Sequence, residues 1–223
     1  MMRKVIELYR TLHYKTLYFN FRYLPFKQAI KLPFQISSNI LFRKMKGTVT
    51  LDCPTISRGM IQIGYRRIGV FDNKRNKGIW EVDGDIIFRG SAIIGSACKI
   101  SVQKGALLDI GNNFTFVEGA TIIATNKILI GEHAFISWHT LIMDTDFHPI
   151  TNENGEIINH SKPVIIGRRV WIGIRNTILN GAEIPDNSII GACSVTAKKV
   201  AEPNSIYAGN PIRHIKSNID WNY

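Results

Sequence analysis

The chain has 223 residues, is 45% hydrophobic and carries a formal net charge of +11. This length and apolar content exclude a disordered chain and allow one sizeable domain with a packed core. No run of about 18 apolar residues occurs, which excludes a membrane-spanning helix, and Glu7 and Arg10 interrupt the start too early for an export signal.

The positive charge is concentrated at the start of the chain. Residues 1–46 hold ten Lys or Arg and one acid, whereas the remainder is close to neutral. A protein that bound nucleic acid along its length would be basic throughout, so this distribution indicates a localised electrostatic contact. No recognised nucleic-acid-binding fold is visible in the sequence, so no nucleic-acid partner is expected.

Aromatic residues alternate with these basic residues, and Pro25 and Pro33 divide the segment into short pieces. The stretch between the two prolines predicts one or two helical turns. Such a composition is typical of interfacial membrane anchors, which would place the protein on the cytoplasmic face of a membrane. The composition fits a helical cap over the open edge of the following domain equally well, and one segment could serve both as cap and as membrane anchor.

The three cysteines are Cys53, Cys98 and Cys193, an odd number without a CxxC pair. Their number and spacing do not fit a disulfide framework or a zinc site, which predicts a reduced, cytoplasmic protein. His133 and His139 are six residues apart and would lie on adjacent faces of a three-sided coil. They cannot converge on one ion within a chain, so no metal site is expected.

An internal repeat of six residues dominates the second half of the chain. Isoleucine recurs at positions 166, 172, 178, 184 and 190, and the same theme begins earlier at Ile94-Gly95, Ile110-Gly111 and Ile130-Gly131. A period of six fits neither an amphipathic helix nor a simple alternating strand. It predicts a solenoid of triangular coils, each of about 18 residues, with inward aliphatic side chains and glycine relieving the backbone at the corners.

The repeat breaks after Ile142. The next inward positions would be His148, Asn154 and His160, none of which suits an apolar core. We therefore expect an excluded loop over about residues 144–162, which opens with Asp144-Thr145-Asp146-Phe147-His148-Pro149. Excluded loops are free to carry reactive side chains. By itself, this string also fits a solvated loop before a turn-forming proline.

Over about residues 84–216 the chain resembles the hexapeptide-repeat acyltransferases, chiefly through Val170-Trp171-Ile172-Gly173 and Ala208-Gly209-Asn210-Pro211. The resemblance implies an all-β, left-handed parallel β-helix at residues 47–216. An N-terminal, mostly helical capping or anchoring segment would occupy residues 1–46, and a short tail residues 217–223. The excluded loop is similar to the His-Pro loop of maltose- and galactoside-type O-acetyltransferases.

The same resemblance implies roles for individual residues. His148 would be the general base, with Asp144 or Asp146 holding its second ring nitrogen. From its position in the repeat, His139 is expected to face outward near the cleft and to line the acceptor site beside Trp138. Trp171 would lie beside the thioester and restrict the donor to acetyl-CoA. The remaining coenzyme A contacts would come from Gly173, Ala192, Lys198, Lys199 and Arg213. Two positions depart from the family pattern: Ala197 replaces a threonine, with Thr196 one place early, and Val117 and Glu118 fall where an acceptor-binding asparagine is expected.

The favoured function is acetyl-CoA-dependent O-acetylation of a sugar hydroxyl in bacterial surface polysaccharide biosynthesis. The resemblance further implies a homotrimer with sites between subunits and no metal. Two alternatives remain open: N-acetylation of a nucleotide-linked amino sugar, and a non-catalytic β-helix scaffold.

Overall fold

The computed structural model describes residues 10–65, 69 and 76–222. Within them the chain winds into a left-handed parallel β-helix whose coils contribute strands to three sheets, which confirms the predicted fold class. None of the helices in this part of the chain has the length and hydropathy to cross a membrane.

The strands are numbered in chain order and grouped here by sheet. Sheet I contains β1 (Phe34–Ile36), β4 (Ile61–Ile63), β7 (Ala92–Ile94), β10 (Phe114–Phe116), β13 (Phe135–Ile136), β16 (Trp171–Ile172), β19 (Ile189–Ile190), β21 (Ile206–Ala208) and β22 (Arg213–Lys216). Sheet II contains β2 (Ile40–Met45), β5 (Gly78–Val82), β8 (Lys99–Val102), β11 (Thr121–Ala124), β14 (Leu141–Met143), β17 (Thr177–Ile178) and β20 (Val195–Thr196). Sheet III contains β3 (Thr48–Leu51), β6 (Asp85–Phe88), β9 (Leu107–Ile110), β12 (Lys127–Ile130), β15 (Val164–Ile166) and β18 (Glu183–Ile184). Neighbouring strands are parallel, except that β22 runs antiparallel to β21.

The core consists of columns of side chains stacked in register from coil to coil. In sheet I, Ile136 pairs with Ile172 and Ile172 with Ile190, and all three are fully buried. Parallel strands lie about 4.8 Å apart, so each inward side chain rests directly on its counterpart in the next coil. The six-residue period therefore reports the inward positions, as predicted.

The glycines after the inward isoleucines do not serve to relieve the backbone at the corners, as was expected. Gly111 does not have a positive φ; instead, a Cβ at that position would lie 2.4 Å from the backbone nitrogen of Glu132 in the next coil. Left-handed backbone at these corners is carried by other residues, such as His133 and Arg169. Glycine is needed here because consecutive coils approach too closely for a side chain.

Among the helical residues before the first strand are α1 (Tyr14–Tyr23) and α2 (Phe26–Ala29). Phe19 of α1 is fully buried, with its ring 4.9 Å from the rings of Phe34 and Trp80. The buried Asn20 amide donates to the carbonyl oxygen of Phe34 (2.9 Å) and accepts from its N–H (3.1 Å). The helix thus covers the first coil and satisfies edge backbone groups, which is the capping role.

The β-helix itself begins earlier than residue 47. β1 pairs with β4 and β2 pairs with β5, so residues 34–45 already belong to sheets I and II. These strands lack the isoleucine repeat, and only their pairing with strands more than twenty residues away identifies them. The N-terminal cap is accordingly the part of the chain before Phe34.

The excluded loop leaves the β-helix between β14 and β15. Its two ends are tied together, because the Ser161 hydroxyl donates to the carbonyl oxygen of Asp144 and the Asn126 side chain donates to that of Ser161 (3.1 Å). Asn180, one coil further on, donates to the carbonyl oxygen of His160 (3.2 Å). The loop is therefore long but emerges from a fixed base.

Candidate active site

The excluded loop stands at the corner where sheet II passes into sheet III, and it carries His148 into solvent. Asn159 braces this part of the loop: its side-chain amide donates to the carbonyl oxygen of His148 (2.8 Å) and to Oδ2 of Asp146 (3.1 Å). The backbone N–H of His148 donates to the carbonyl oxygen of Asp146 at 2.7 Å. The backbone around His148 is thus held, while its imidazole is exposed and available to a ligand.

Asp144 is placed for a structural role, which differs from the orienting role considered for it. Its side chain is fully buried. Oδ1 accepts from the N–H of Thr125 (2.7 Å) and from its hydroxyl (3.1 Å), and Oδ2 accepts from the N–H of Asn126 (3.0 Å). Both carboxylate oxygens are committed to the preceding coil, so Asp144 does not hold the imidazole in this structure.

Asp146 differs from Asp144 in being exposed. Its only hydrogen bond to a side chain in the described part of the chain is the one accepted from Asn159. It does not contact the His148 ring in this structure, but it is two residues away on the same exposed loop. Of the two aspartates, Asp146 alone has a carboxylate that solvent and a ligand can reach.

The predicted acceptor residues lie at a different corner, between sheets I and II. Trp138 and His139 form the turn from β13 to β14, and His139 is exposed with a φ of 59°. Its backbone N–H donates to the carbonyl oxygen of Glu118 in the preceding coil (3.2 Å). His133 turns the corner between sheets III and I instead, so the two histidines point to separate edges of the coil.

Trp171 faces outward from the surface of sheet I. It is 38% exposed, and its indole N–H donates to the hydroxyl of Ser137 (3.3 Å). The ring of Trp221 lies 6.0 Å away. Gly173 and Ala192 follow in the corner between sheets I and II, where a Cβ on Gly173 would lie 2.9 Å from the Ala192 backbone nitrogen.

The three predicted cationic contacts fall into different environments. Arg213 is exposed on β22, paired in register with Ala208 beside the same corner as Ala192. Lys198 is exposed beyond β20, and no partner for its ammonium group occurs in the described residues. Lys199 forms an ion pair with Glu183 of sheet III (2.8 Å), which directs it toward that sheet.

Thr196 is fully buried in the inward column of sheet II, and its hydroxyl has no hydrogen-bond partner among the described residues. A side chain that points into the core cannot contact a ligand on the surface. The shift of this threonine by one place therefore removes it from any coenzyme A contact.

Within one chain, the predicted residues form two groups on different edges of the coil. Sheet I and its corner with sheet II carry Trp138, His139, Trp171, Gly173, Ala192 and Arg213. The corner between sheets II and III and the adjoining sheet III carry Asp144, Asp146, His148, Lys198 and Lys199. Because the β-helix itself separates the two edges, one chain does not bring His148 to Trp171.

A cleft of about 490 Å³ on the outer face of sheet I was not predicted from the sequence. Its floor includes Phe135, the register neighbour of Trp171, and one wall is Trp221 of the C-terminal tail. The indole N–H of Trp221 donates to the carbonyl oxygen of Arg169 (2.7 Å), and the Arg169 guanidinium donates to the carboxylate of Asp220 (2.8 Å). The tail carries no repeat, so no local pattern indicated that it would fold back onto the sheet.

All three cysteines are free. Burial raises the pKa of the Cys98 thiol, which donates to the carbonyl oxygen of Val117 (3.0 Å) and therefore stays protonated and unreactive. Across the described ranges, no cluster of three His, Cys, Asp or Glu side chains could hold a metal ion.

No protein-family model matches the chain, but part of its sequence is similar to curated proteins. The galactoside O-acetyltransferase of Escherichia coli (strain K12) is 37% identical over 115 residues, which are 50% of this chain and 55% of that protein. The polysialic acid O-acetyltransferase of Neisseria meningitidis is 40% identical over 127 residues, 56% of each chain. The chain thus spans little more than half the length of these curated relatives.

Among solved structures, the polySia-specific acetyltransferase NeuO superposes with a TM-score of 0.54 at 24% identity. The match covers 85% of this chain and 82% of NeuO. At this level of identity, the likeness establishes a shared fold and no more.

Proposed function

Because this chain is, over about half of its length, a homologue of hexapeptide-repeat O-acetyltransferases, we propose that it transfers an acetyl group from acetyl-CoA to a sugar hydroxyl. The biological setting we propose is bacterial surface polysaccharide biosynthesis at the cytoplasmic side of the membrane. The observation that carries the proposal is the exposed imidazole of His148, presented on a braced loop where the six-residue repeat breaks after Ile142.

His148 acts as the general base. Imidazole is the side chain whose unperturbed pKa is closest to neutrality, and it can take the hydroxyl proton as the sugar oxygen attacks the thioester carbon. A new C–O ester bond forms, the C–S bond breaks, and the proton passes from the imidazole to the departing thiolate. No covalent acyl-enzyme is needed if both substrates are held in line. Asp146, whose carboxylate is accessible, holds the second ring nitrogen during the reaction.

Acetyl-CoA lies along sheet I and its corner with sheet II. The exposed face of Trp171 bounds the acetyl group, and the small residues Gly173 and Ala192 leave room for the pantetheine chain. Arg213, and Lys198 from the loop edge of a neighbouring chain, supply positive charge for the phosphates. Lys199 is a weaker candidate than these two, because its ammonium group is already paired with Glu183. Trp138 and His139 contact the sugar from the same corner.

A homotrimer would unite the two groups of residues that one chain keeps apart. In a ring with three-fold symmetry, the same two different surfaces meet at every interface. The loop corner of one chain, with His148, would then face sheet I of the next, with Trp171. This assembly completes the site three times per trimer.

Mixed oligomers test the shared site. We expect His148→Ala and Trp171→Ala chains to be nearly inactive alone, and to regain activity when reassembled together, with about one quarter of the sites intact by random mixing. The measurement is acetyl transfer per site in the mixture. As a control, His148→Ala chains mixed with the double variant cannot form an intact site. Mixtures that stay as inactive as this control would place the site within one chain.

The proposed reaction is tested by acetyl-CoA turnover with a panel of acceptors. The purified chain is assayed for release of the free thiol with galactosides, sialic acid oligomers, lipid-linked sugars and nucleotide-linked amino sugars. We expect thiol release that depends on a hydroxyl acceptor and yields a product cleaved by mild base, as an ester is. A base-stable product would identify an amide and N-acetylation. A chain that turns over acetyl-CoA with none of the acceptors would support a scaffold.

A further inference from the structure

The N-terminal cap has an outer face that the fold leaves uncovered. We define the outer cap face as six side chains, each at least half exposed: Leu12, Tyr14, Tyr18, Phe21, Phe26 and Ile30. The rest of the described chain holds seven exposed large apolar side chains, four on the excluded loop and three spread over the β-helix from Ile165 to Ile215. The outer cap face is therefore a local concentration of exposed apolar surface, which commonly marks an interaction site.

The geometry of α1 separates this face from the one that caps the β-helix. Tyr14, Tyr18 and Phe21 are spaced four and three residues apart, so they form one stripe along the helix. Phe19 and Asn20 lie on the opposite side and are fully buried against the first coil. The stripe continues onto α2, because the rings of Phe21 and Phe26 lie 6.1 Å apart. Capping uses only the inner side, so the outer aromatic stripe is not explained by the fold.

Unpaired positive charge lies beside the outer cap face. Lys27 and Lys31 directly follow Phe26 and Ile30, and Arg43 follows Phe42, whose ring lies 6.1 Å from that of Tyr18. These three cations and Lys46 are exposed, with no ion-pair partner in the described parts of the chain. No Asp or Glu occurs in the sequence from residue 8 to residue 51. The surface is consequently both apolar and positive, and the acid close to its edge is Asp83, which pairs with Lys44 and lies near Lys46.

This combination selects one kind of partner. A second copy of the same face would bring like charges together, which opposes self-association. Aromatic and aliphatic side chains bordered by Lys and Arg are suited to the boundary between lipid headgroups and acyl chains, where the rings enter the interface and the cations meet anionic headgroups.

We propose that the outer cap face docks the protein on an anionic lipid bilayer, with the cap end of the β-helix against the membrane. Docking does not depend on acetyl transfer. If the proposed reaction is correct, this contact brings the enzyme to acceptors carried on lipid. The two are tested separately, because vesicle binding is measured without acetyl-CoA or a sugar.

Sedimentation with vesicles tests the docking. The full chain is mixed with phosphatidylcholine vesicles that either contain or lack phosphatidylglycerol, and the bound fraction is measured at low and high salt. We expect binding to the anionic vesicles that weakens as salt screens the charges. Lys27→Gln with Lys31→Gln should reduce the partition coefficient by about fivefold per cation. Phe21→Ser with Phe26→Ser should reduce it at least as much.

Matched controls change the same kinds of residue elsewhere on the surface. Lys99→Gln with Lys127→Gln removes two exposed cations of the body, and Ile165→Ser with Ile215→Ser removes two exposed apolar side chains. We expect both controls to bind as the unchanged chain does. All variants alter exposed positions, and thermal melting checks that they remain folded. Absence of vesicle binding, equal binding by the cap and control variants, or a change in oligomeric state caused by the cap variants would each overturn the proposal.

Discussion

Replacement of His148 by alanine should lower the rate of acetyl transfer by a factor of about 10²–10⁴, which is the usual contribution of a positioned general base. The imidazole is exposed and has no hydrogen-bond partner among the described residues, so its removal leaves the folded chain otherwise intact. We therefore expect an unchanged melting temperature and an unchanged KM for acetyl-CoA. Initial rates of thiol release, measured with the best acceptor of the panel, provide the test.

His160→Ala is the matched control for this substitution. His160 is exposed on the same loop. Its backbone carbonyl oxygen accepts a hydrogen bond from the Asn180 side chain, and alanine retains that carbonyl. Its activity should stay within about twofold of the unchanged chain, as is normal for a surface substitution with little effect on stability. If His148→Ala were as active as His160→Ala, His148 would not be the base, and the transfer mechanism would need another residue.

Substitution of Asp144 by asparagine should destabilise the chain by about 2–4 kcal/mol. The amide has the same shape as the carboxylate but presents an NH₂ group at one of the two positions that accept from backbone N–H groups. One of Thr125 and Asn126 then loses its acceptor in a fully buried environment and faces a donor instead. For a chain of this size, we expect a fall in melting temperature of roughly 5–15 °C.

Asp146→Asn separates the structural role of Asp144 from the orienting role proposed for Asp146. Asp146 is exposed and accepts a single side-chain hydrogen bond, so its replacement should change stability by less than about 0.5 kcal/mol. If Asp146 holds the imidazole during catalysis, kcat falls in this variant while the melting temperature stays constant. An Asp144→Asn chain that kept its melting temperature and lost only kcat would instead return the orienting role to Asp144.

Some features of the excluded loop follow from the sequence and others do not. Polar residues at the inward positions after Ile142 predict that the chain leaves the coil and that His148 is carried outward, and both are observed. The string Asp144 to His148, however, makes both aspartates equally plausible partners of the histidine. The carboxylate of Asp144 is instead occupied by backbone groups eighteen and nineteen residues earlier, which are adjacent only once the coils have stacked.

In the N-terminal segment, the sequence likewise does not distinguish buried from exposed aromatic residues. In the sequence, Phe19 and Phe21 are alike, two positions apart among basic residues. In the structure, Phe19 is fully buried against the first coil and Phe21 is half exposed. The capping and anchoring roles could therefore be listed from composition, but their assignment to opposite faces of α1 required the packed helix.

The sequence by itself determined the coil, its inward positions and the point where the reactive loop emerges, because a six-residue period is a local pattern that each segment repeats. The tertiary structure decided what each polar group contacts: Thr125 and Asn126 for Asp144, Glu183 for Lys199, and solvent for His148. It also showed that His148 and Trp171 lie on separate edges of one chain. The physical reason is that hydrogen bonds, ion pairs and exposure depend on neighbours from other coils, and a period along the chain carries no information about those neighbours.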